Sequence, residues 1–178
     1  MTRPFPEMQT NRLLLRQFTD ADLQHVYEGL SHPDVIKHYG VHYDSLDATR
    51  EQMRWFTELE TSGTGTWWAI CDAATNTFSG AAGLYFIKPE HRKAELGFWL
   101  LPQYWGKGII VEALPLILHY GFTSLHLHRV EAFVESENNS SKKVMDKLQF
   151  RHEGTMQDCE IKNGRFISLD VYAKLIDA

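Results

Sequence analysis

Cysteine is scarce in this sequence: there are two, Cys71 and Cys159, with neither CxxC spacing nor a histidine cluster beside them. That excludes a disulfide framework, gives no signal of a zinc site and suits reduced thiols in the cytoplasm. Long apolar runs are missing too. No 18-residue apolar stretch occurs, and residues 1–9 carry Pro4, Pro6 and Glu7 where an export signal would be apolar, so neither a membrane span nor a leader is expected. Basic charge is in deficit, with 18 Lys and Arg against 23 Asp and Glu for a net charge of −5. Proteins that grip nucleic acid through phosphates carry the opposite sign, and a cationic partner suits this chain better. Neither GxGxxG nor GxxxxGK[ST] is present, which sets aside the dinucleotide-fold and P-loop readings. The nine histidines, among them His25, His32, His38, His42, His126 and His128, are scattered without metal-ligand spacing, so no metal is expected.

What is there is an ordinary globular composition, 43% hydrophobic and 23% charged over 178 residues. A single domain over residues 1–178 is expected, large enough to bury roughly 70% of its unfolded surface without a staple. Residues 11–18, with Leu13, Leu14 and Leu15 between Arg12 and Arg16, read as a first strand. Thr19 with Asp22 forms a capping-box variant before Leu23, Val26, Tyr27 and Leu30 at helical spacing, and this helix is expected to stop near Pro33. A second helix over 47–59 places Met53, Trp55, Phe56 and Leu59 on one side. Residues 67–71, 78–87 and 94–100 read as an antiparallel meander. An apolar helix over 109–122 contains Pro115, which should kink it or delay its start. Residues 129–135 alternate Val130, Ala132 and Val134 against Glu131, Phe133 and Glu135, as a strand with one strongly apolar face does. A short helix over 138–148 and two strands, 150–161 and 165–173, joined by Asn163-Gly164, complete the chain.

The segment that carries most chemistry is 100–109, which leaves a strand, passes Gly106-Lys107-Gly108 and enters the apolar helix at Ile109. A glycine pair at such a joint aims backbone N–H groups into one concavity, and the helix N-terminus adds about half a positive charge, so the loop favours a phosphate. Lys107 can add a mobile cation and Gln103 can orient the loop or donate to the ligand. Glycines needed for backbone shape alone would look the same.

Gln103-x-x-Gly106-x-Gly108 resembles the acetyl-coenzyme A pyrophosphate loop of the GNAT superfamily of N-acetyltransferases, in the place that family has it, after the fourth strand and before the third helix. Further segments are similar to the branch that includes bacterial ribosomal-protein N-terminal acetyltransferases. These are Thr10-x-Arg12-Leu13-x-Leu15-Arg16, the run 94–100, Trp105-Gly-Lys-Gly with Glu112-Ala113, the run 127–132, and Glu137-Asn138-x-x-Ser141-x-x-Val144-x-x-Lys147-Leu148-x-Phe150 with Glu153-Gly154. The resemblance spans nearly the whole chain. It implies an α/β fold whose mixed, mostly antiparallel central sheet of about seven strands splays after the fourth, with helices on both faces. It implies acetyl-CoA as acyl donor, bound by Phe98, Trp99, Leu100, Gln103, Trp105, Gly106, Lys107, Gly108, Ile109, Asn138 and Ser141.

The resemblance further implies acetyl transfer to an amine by direct attack in a ternary complex, in a cytoplasmic monomer or homodimer. Glu95 stands where many relatives keep the general base, with an exposed strand glutamate as the plainer reading. Glu112 is the rival carboxylate, although a negative charge early in a helix is favourable through the dipole alone. The family's thiolate-assisting tyrosine would fall on Met145, which cannot serve; Ser141 matches the serine of the ribosomal-protein branch, or else is only a helix cap. Gln149 replaces a glycine usual before Phe150 and puts the turn geometry there in question. The acceptor expected is a ribosomal-protein N-terminal amine, with a polyamine, amino acid or aminoglycoside as alternatives. A catalytically weak acyl-CoA sensor is the reading from a different class.

Overall fold

A computed structural model describes residues 4–176; the expectations that reach residues 1–3 and 177–178 lie outside the described residues. Among the described residues eight strands form one sheet: β1 (Met8–Gln9), β2 (Leu13–Arg16), β3 (Thr66–Asp72), β4 (Phe78–Lys88), β5 (Lys93–Leu100), β6 (Arg129–Glu135), β7 (Arg151–Lys162) and β8 (Arg165–Leu175). Their order is β1-β2-β3-β4-β5-β6-β8-β7, antiparallel throughout except for the parallel pair β5/β6. The strand beyond the expected seven is the two-residue β1, which folds back on β2 with Met8 opposite Leu15 and is too short to leave a period in the sequence.

Among the described residues five α-helices, α1 (Leu23–Ser31), α2 (Pro33–Ile36), α3 (Leu46–Ser62), α4 (Ile109–Thr123) and α5 (Asn139–Lys147), cover both faces. Strand β3 shows how the period of two divides the core. Trp68 and Ile70 join the cluster that contains Ile110, Ala113, Leu114, Ile117 and Met145 of α4 and α5. Trp67, Ala69 and Cys71 join the cluster that contains Val26, Leu30, Val35, Phe56 and Leu59 of α1, α2 and α3. Each fully buried large side chain contributes roughly 1.5–3 kcal/mol, so the two layers hold the sheet from both sides.

Local chemistry sets the helix ends. The α1 helix stops at Ser31, but Pro33 does not end helical structure; it occupies the first turn of α2, where its missing N–H costs nothing. Helix α3 closes on Gly63 at φ +71°, with Thr64 N–H donating to the Leu59 carbonyl at 3.0 Å. Pro115 lies inside α4 on its exposed side, and the helix runs from Ile109 without a delayed start. Asn163 and Gly164 both take positive φ in the β7–β8 turn, as a type I′ hairpin requires.

Candidate active site

The β5/β6 pairing covers only Lys93 with Arg129, Ala94 with Val130 and Glu95 with Glu131. Beyond this apex β5 keeps β4 as its neighbour through Leu100, while β6 continues beside β8. The sheet therefore opens into a V with one bare side on β5. Leu101 N–H donates to the Ser79 carbonyl at 2.9 Å, and the antiparallel alternation places the N–H and C=O of Trp99 toward β4 as well. Phe98 and Leu100 turn theirs into the gap. Trp99 thus leaves the set of three backbone-pairing residues; its side chain instead packs in the α1–α3 layer. The Leu100 carbonyl already accepts from the Trp105 indole at 2.9 Å.

The strand runs into a single turn at 102–104 and then into Gly106 and Gly108, at φ +72° and +74°. Gly108 caps α4 without a side-chain hydrogen bond, and the first helical bond runs from Glu112 N–H to the Gly108 carbonyl at 3.1 Å. The amides of Ile109, Ile110 and Val111 therefore lack intrahelical partners and form the positive end of the helix. A Cβ at Gly106 would meet nothing within 4 Å and one at Gly108 only Arg12 Nη2 at 3.5 Å, so backbone conformation, not crowding, requires glycine here. Lys107 places Nζ over the Tyr104 ring at 5.3 Å, and Gln103 is exposed beside it.

Arg12 braces this loop from β2. Its Nη2 donates to the Lys107 carbonyl at 2.9 Å and its Nε pairs with Glu112 at 2.5 Å. Thr10 also donates to Glu112, and the Thr10 hydroxyl, with Arg12, holds this carboxyl below its ordinary range. Glu112 is a strut between β2 and α4.

Glu95 is half-buried at the apex, on the α1–α3 side, opposite Tyr85 of β4 and beside Glu131 of β6. Burial pushes its carboxyl up, the Tyr85 hydroxyl, Lys93 and Lys88 only partly offset this, and Glu131 adds to it. For Glu131 burial works in the same sense, but Arg129 at 2.8 Å and Lys93 at 3.2 Å outweigh it and the carboxyl is lowered. Two adjacent carboxylates are thereby driven in opposite directions, Glu131 down by its cationic partners and Glu95 up by burial. Trp55 and Tyr85, 6.0 Å apart, extend an aromatic wall away from Glu95. Gly83 and Gly97 face each other behind it because a Cβ at either would strike the Trp67 ring.

Across the gap, Asn138 caps α5. Its Oδ1 accepts from Ser141 N–H at 3.1 Å, and its Nδ2 donates to Ser141 Oγ at 2.9 Å. The serine is thus both a first-turn residue and a hydroxyl whose own proton is left to donate. Met145 is fully buried in the core. Gln149 takes φ +60° and completes a Schellman motif, with Phe150 N–H on the Met145 carbonyl at 2.9 Å and Gln149 N–H on that of Asp146 at 3.0 Å. The turn geometry survives the missing glycine.

Two groupings escape sequence reasoning because their members are remote in the chain. Glu135, at the end of β6, joins His38 Nδ1 at 2.8 Å to Lys162 Nζ at 2.5 Å, clasping the segment after α2 to the hairpin. Asp170, only 5% exposed, gathers four partners from three segments: Ser136 after β6, Lys142 of α5, and His152 and Thr155 of β7.

Residues 12–151 match the family model described as an acetyltransferase (GNAT) domain. The chain is a member of the GNAT family. It is 30% identical over 170 residues to the uncharacterized N-acetyltransferase YoaA of Bacillus subtilis, covering 95% of this chain and 96% of the relative. Its fold is like that of RimL, a ribosomal L7/L12 alpha-N-protein acetyltransferase solved with coenzyme A (TM-score 0.86, 23% identity, 97% and 99% of the two chains). A similar likeness holds to the Vibrio cholerae spermidine N-acetyltransferase solved with CoA and spermine (TM-score 0.82, 23% identity, 93% and 96%). The GNAT chain is therefore an N-acetyltransferase, of an α/β fold that uses acetyl-CoA. Among its described residues no helix is long and apolar enough to cross a membrane.

Proposed function

We propose that this enzyme moves an acetyl group from acetyl-CoA to a primary amine by direct attack, and that the N-terminal amine of a ribosomal protein is its acceptor. The observation that carries the reading is the continuity of one surface. The bare edge of β5 leads from the half-buried Glu95 at the apex to the uncapped N-terminus of α4. These groups fit coenzyme A: the gap-facing backbone of Phe98 and Leu100 suits the pantetheine amides, and the glycine-paired loop 106–108 with the first α4 amides suits the pyrophosphate. Gln103, Trp105, Lys107 and Ile109 line that loop, and Asn138 orients Ser141 on the other side of the gap.

Each role follows from chemistry. Glu95, with a carboxyl raised by burial, accepts the proton that the amine must lose, directly or through water, a contribution of about 10²- to 10⁴-fold. The Phe98 N–H, facing the gap, polarises the thioester carbonyl. The Ser141 hydroxyl donates to the departing sulfur. Among the described residues no cysteine or serine side chain is hydrogen-bonded to a histidine that could make it a nucleophile, which favours direct transfer.

Of the glutamates on this face of the sheet, Glu131 is paired with Arg129 and Lys93 and Glu135 with His38 and Lys162, so Glu95, hydrogen-bonded to Tyr85, is the carboxylate that favours a cationic amine. The name of the RimL neighbour supports the protein N-terminus; that of the spermidine enzyme supports a polyamine as the second reading. Release of free thiol from acetyl-CoA, measured with an L7/L12 N-terminal peptide, spermidine, free amino acids and an aminoglycoside, tests both. Turnover confined to spermidine would replace the first reading with the second, and acetyl-CoA binding without release on any amine would point to a sensor.

A further inference from the structure

Asp170 lies on β8 beneath the start of α5, and its carboxylate is nearly removed from solvent at 5% exposure. Lys142 Nζ pairs with its Oδ2 at 2.6 Å. Ser136 Oγ donates to Oδ1 at 3.1 Å and Thr155 Oγ1 at 2.6 Å, with His152 Nε2 3.5 Å from the same oxygen. Two of these partners have a particular place in the chain. Ser136 precedes the turn 138–141 and Lys142 follows it, so one buried carboxylate holds both flanks of the segment that carries Asn138 and Ser141. The backbone reinforces the grip, with Ser136 N–H on the Ser168 carbonyl at 2.9 Å and Asn138 N–H on that of Glu135 at 2.8 Å.

We infer that Asp170 is a positioning residue for catalysis: by fixing Ser136 and Lys142 it sets where the Ser141 hydroxyl stands in the gap. The inference rests on the reading of Ser141 as the group that meets the departing sulfur. A buried carboxylate bonded on several sides rotates little, and a hydrogen bond that strengthens in the transition state is sensitive to small displacements of its donor. The Asp170 network lies under the sheet's α5 face and touches neither the pyrophosphate loop nor Glu95, so its loss should spare cofactor affinity.

A kinetic double-mutant cycle tests this. Ser141→Ala is expected to lower kcat about tenfold to 150-fold. Asp170→Asn, which keeps shape, should lower kcat about fivefold to tenfold with acetyl-CoA affinity within about twofold, and should cost nothing further when Ser141 is already alanine. Lys142→Gln should behave in the same way and Lys142→Arg should restore most of the rate; this pair stands in if Asp170→Asn does not fold. If Ser141→Ala lowers kcat while Asp170→Asn and Lys142→Gln leave it unchanged, or multiply with it fully, the positioning role is overturned and the reading of Ser141 stands. An unchanged kcat in Ser141→Ala would overturn both.

Discussion

At the residue scale the apex is a contrast between two glutamates one strand apart. Glu131 is neutralised by Arg129 and Lys93, whereas Glu95 is desolvated with a tyrosine hydroxyl as its hydrogen-bond partner. Glu95→Gln is expected to lower kcat about 10²-fold with acetyl-CoA affinity nearly intact. In the parent enzyme the base form of Glu95 is lost as pH falls through its raised folded value, so the acid limb of kcat/KM should lie above the ordinary glutamate range. A profile that is flat there, or a glutamine variant with parental turnover, would remove Glu95 from the role. Gly108 makes a different kind of contribution, because a side chain there has space but not a comfortable φ. Gly108→Ala and Gly108→Val should therefore both weaken acetyl-CoA binding by about tenfold or more. Calorimetry on folded variants checks this, and unchanged affinity would show that the loop does not hold the pyrophosphate.

At the scale of elements, helix α5 shows a rule kept with the wrong residue. Its Schellman end needs a left-handed residue, and Gln149 supplies it at a steric cost of about 1–2 kcal/mol that glycine avoids, less the 0.5–1 kcal/mol of entropy glycine gives back. Gln149→Gly should raise stability by up to about 1 kcal/mol in a urea melt with kcat unchanged; a loss would mean that the Gln149 side chain has a role of its own. The same helix shows what was legible beforehand. Val144, Met145 and Leu148 at helical spacing and the polar run from Asn138 announce α5 and its cap, just as Val130, Ala132 and Val134 announce β6, because local periodicity is written into consecutive residues. The glycine pair at the strand-to-helix joint was readable in the same way, whereas the role expected of Glu95 rests on the family resemblance. The short β1, the helical turn opened by Pro33 and the bond from Trp105 to Leu100 leave no periodic trace. The clasp of Glu135 with His38 and Lys162 was illegible for a stronger reason, since His38 and Glu135 lie 97 residues apart and only the folded sheet brings them together.

At the scale of the whole molecule, the carboxylates divide into those that stabilise the fold and one that the proposed chemistry needs at the fold's expense. Burial alone would raise Asp170, but Lys142, Thr155 and Ser136 outweigh it and hold it at about 2. Asp22, nearly buried against Arg16 at 2.8 Å, is lowered in the same way. Each binds its proton less tightly when folded, so its contribution is complete above the unfolded value near 3.8 and is lost as pH falls through the folded one. Glu95 has the opposite sign: its folded value is raised, so what it contributes is present below its unfolded value and lost as pH rises through the folded one. Asp170→Asn should accordingly lower stability at pH 7 by about 1.5–3 kcal/mol, the size of hydrogen bonds to a charged group, and the gap from the parent should close as pH approaches 2. Glu95→Gln should melt at or above the parent at pH 7 and match it in acid, because the amide removes a buried charge without removing an ion pair. Denaturant melts of both variants at pH 7 and pH 3 measure the two slopes. A Glu95→Gln protein less stable than the parent at neutral pH would mean that the Glu95 carboxylate holds the apex together, and the separation of structural from chemical carboxylates would not stand.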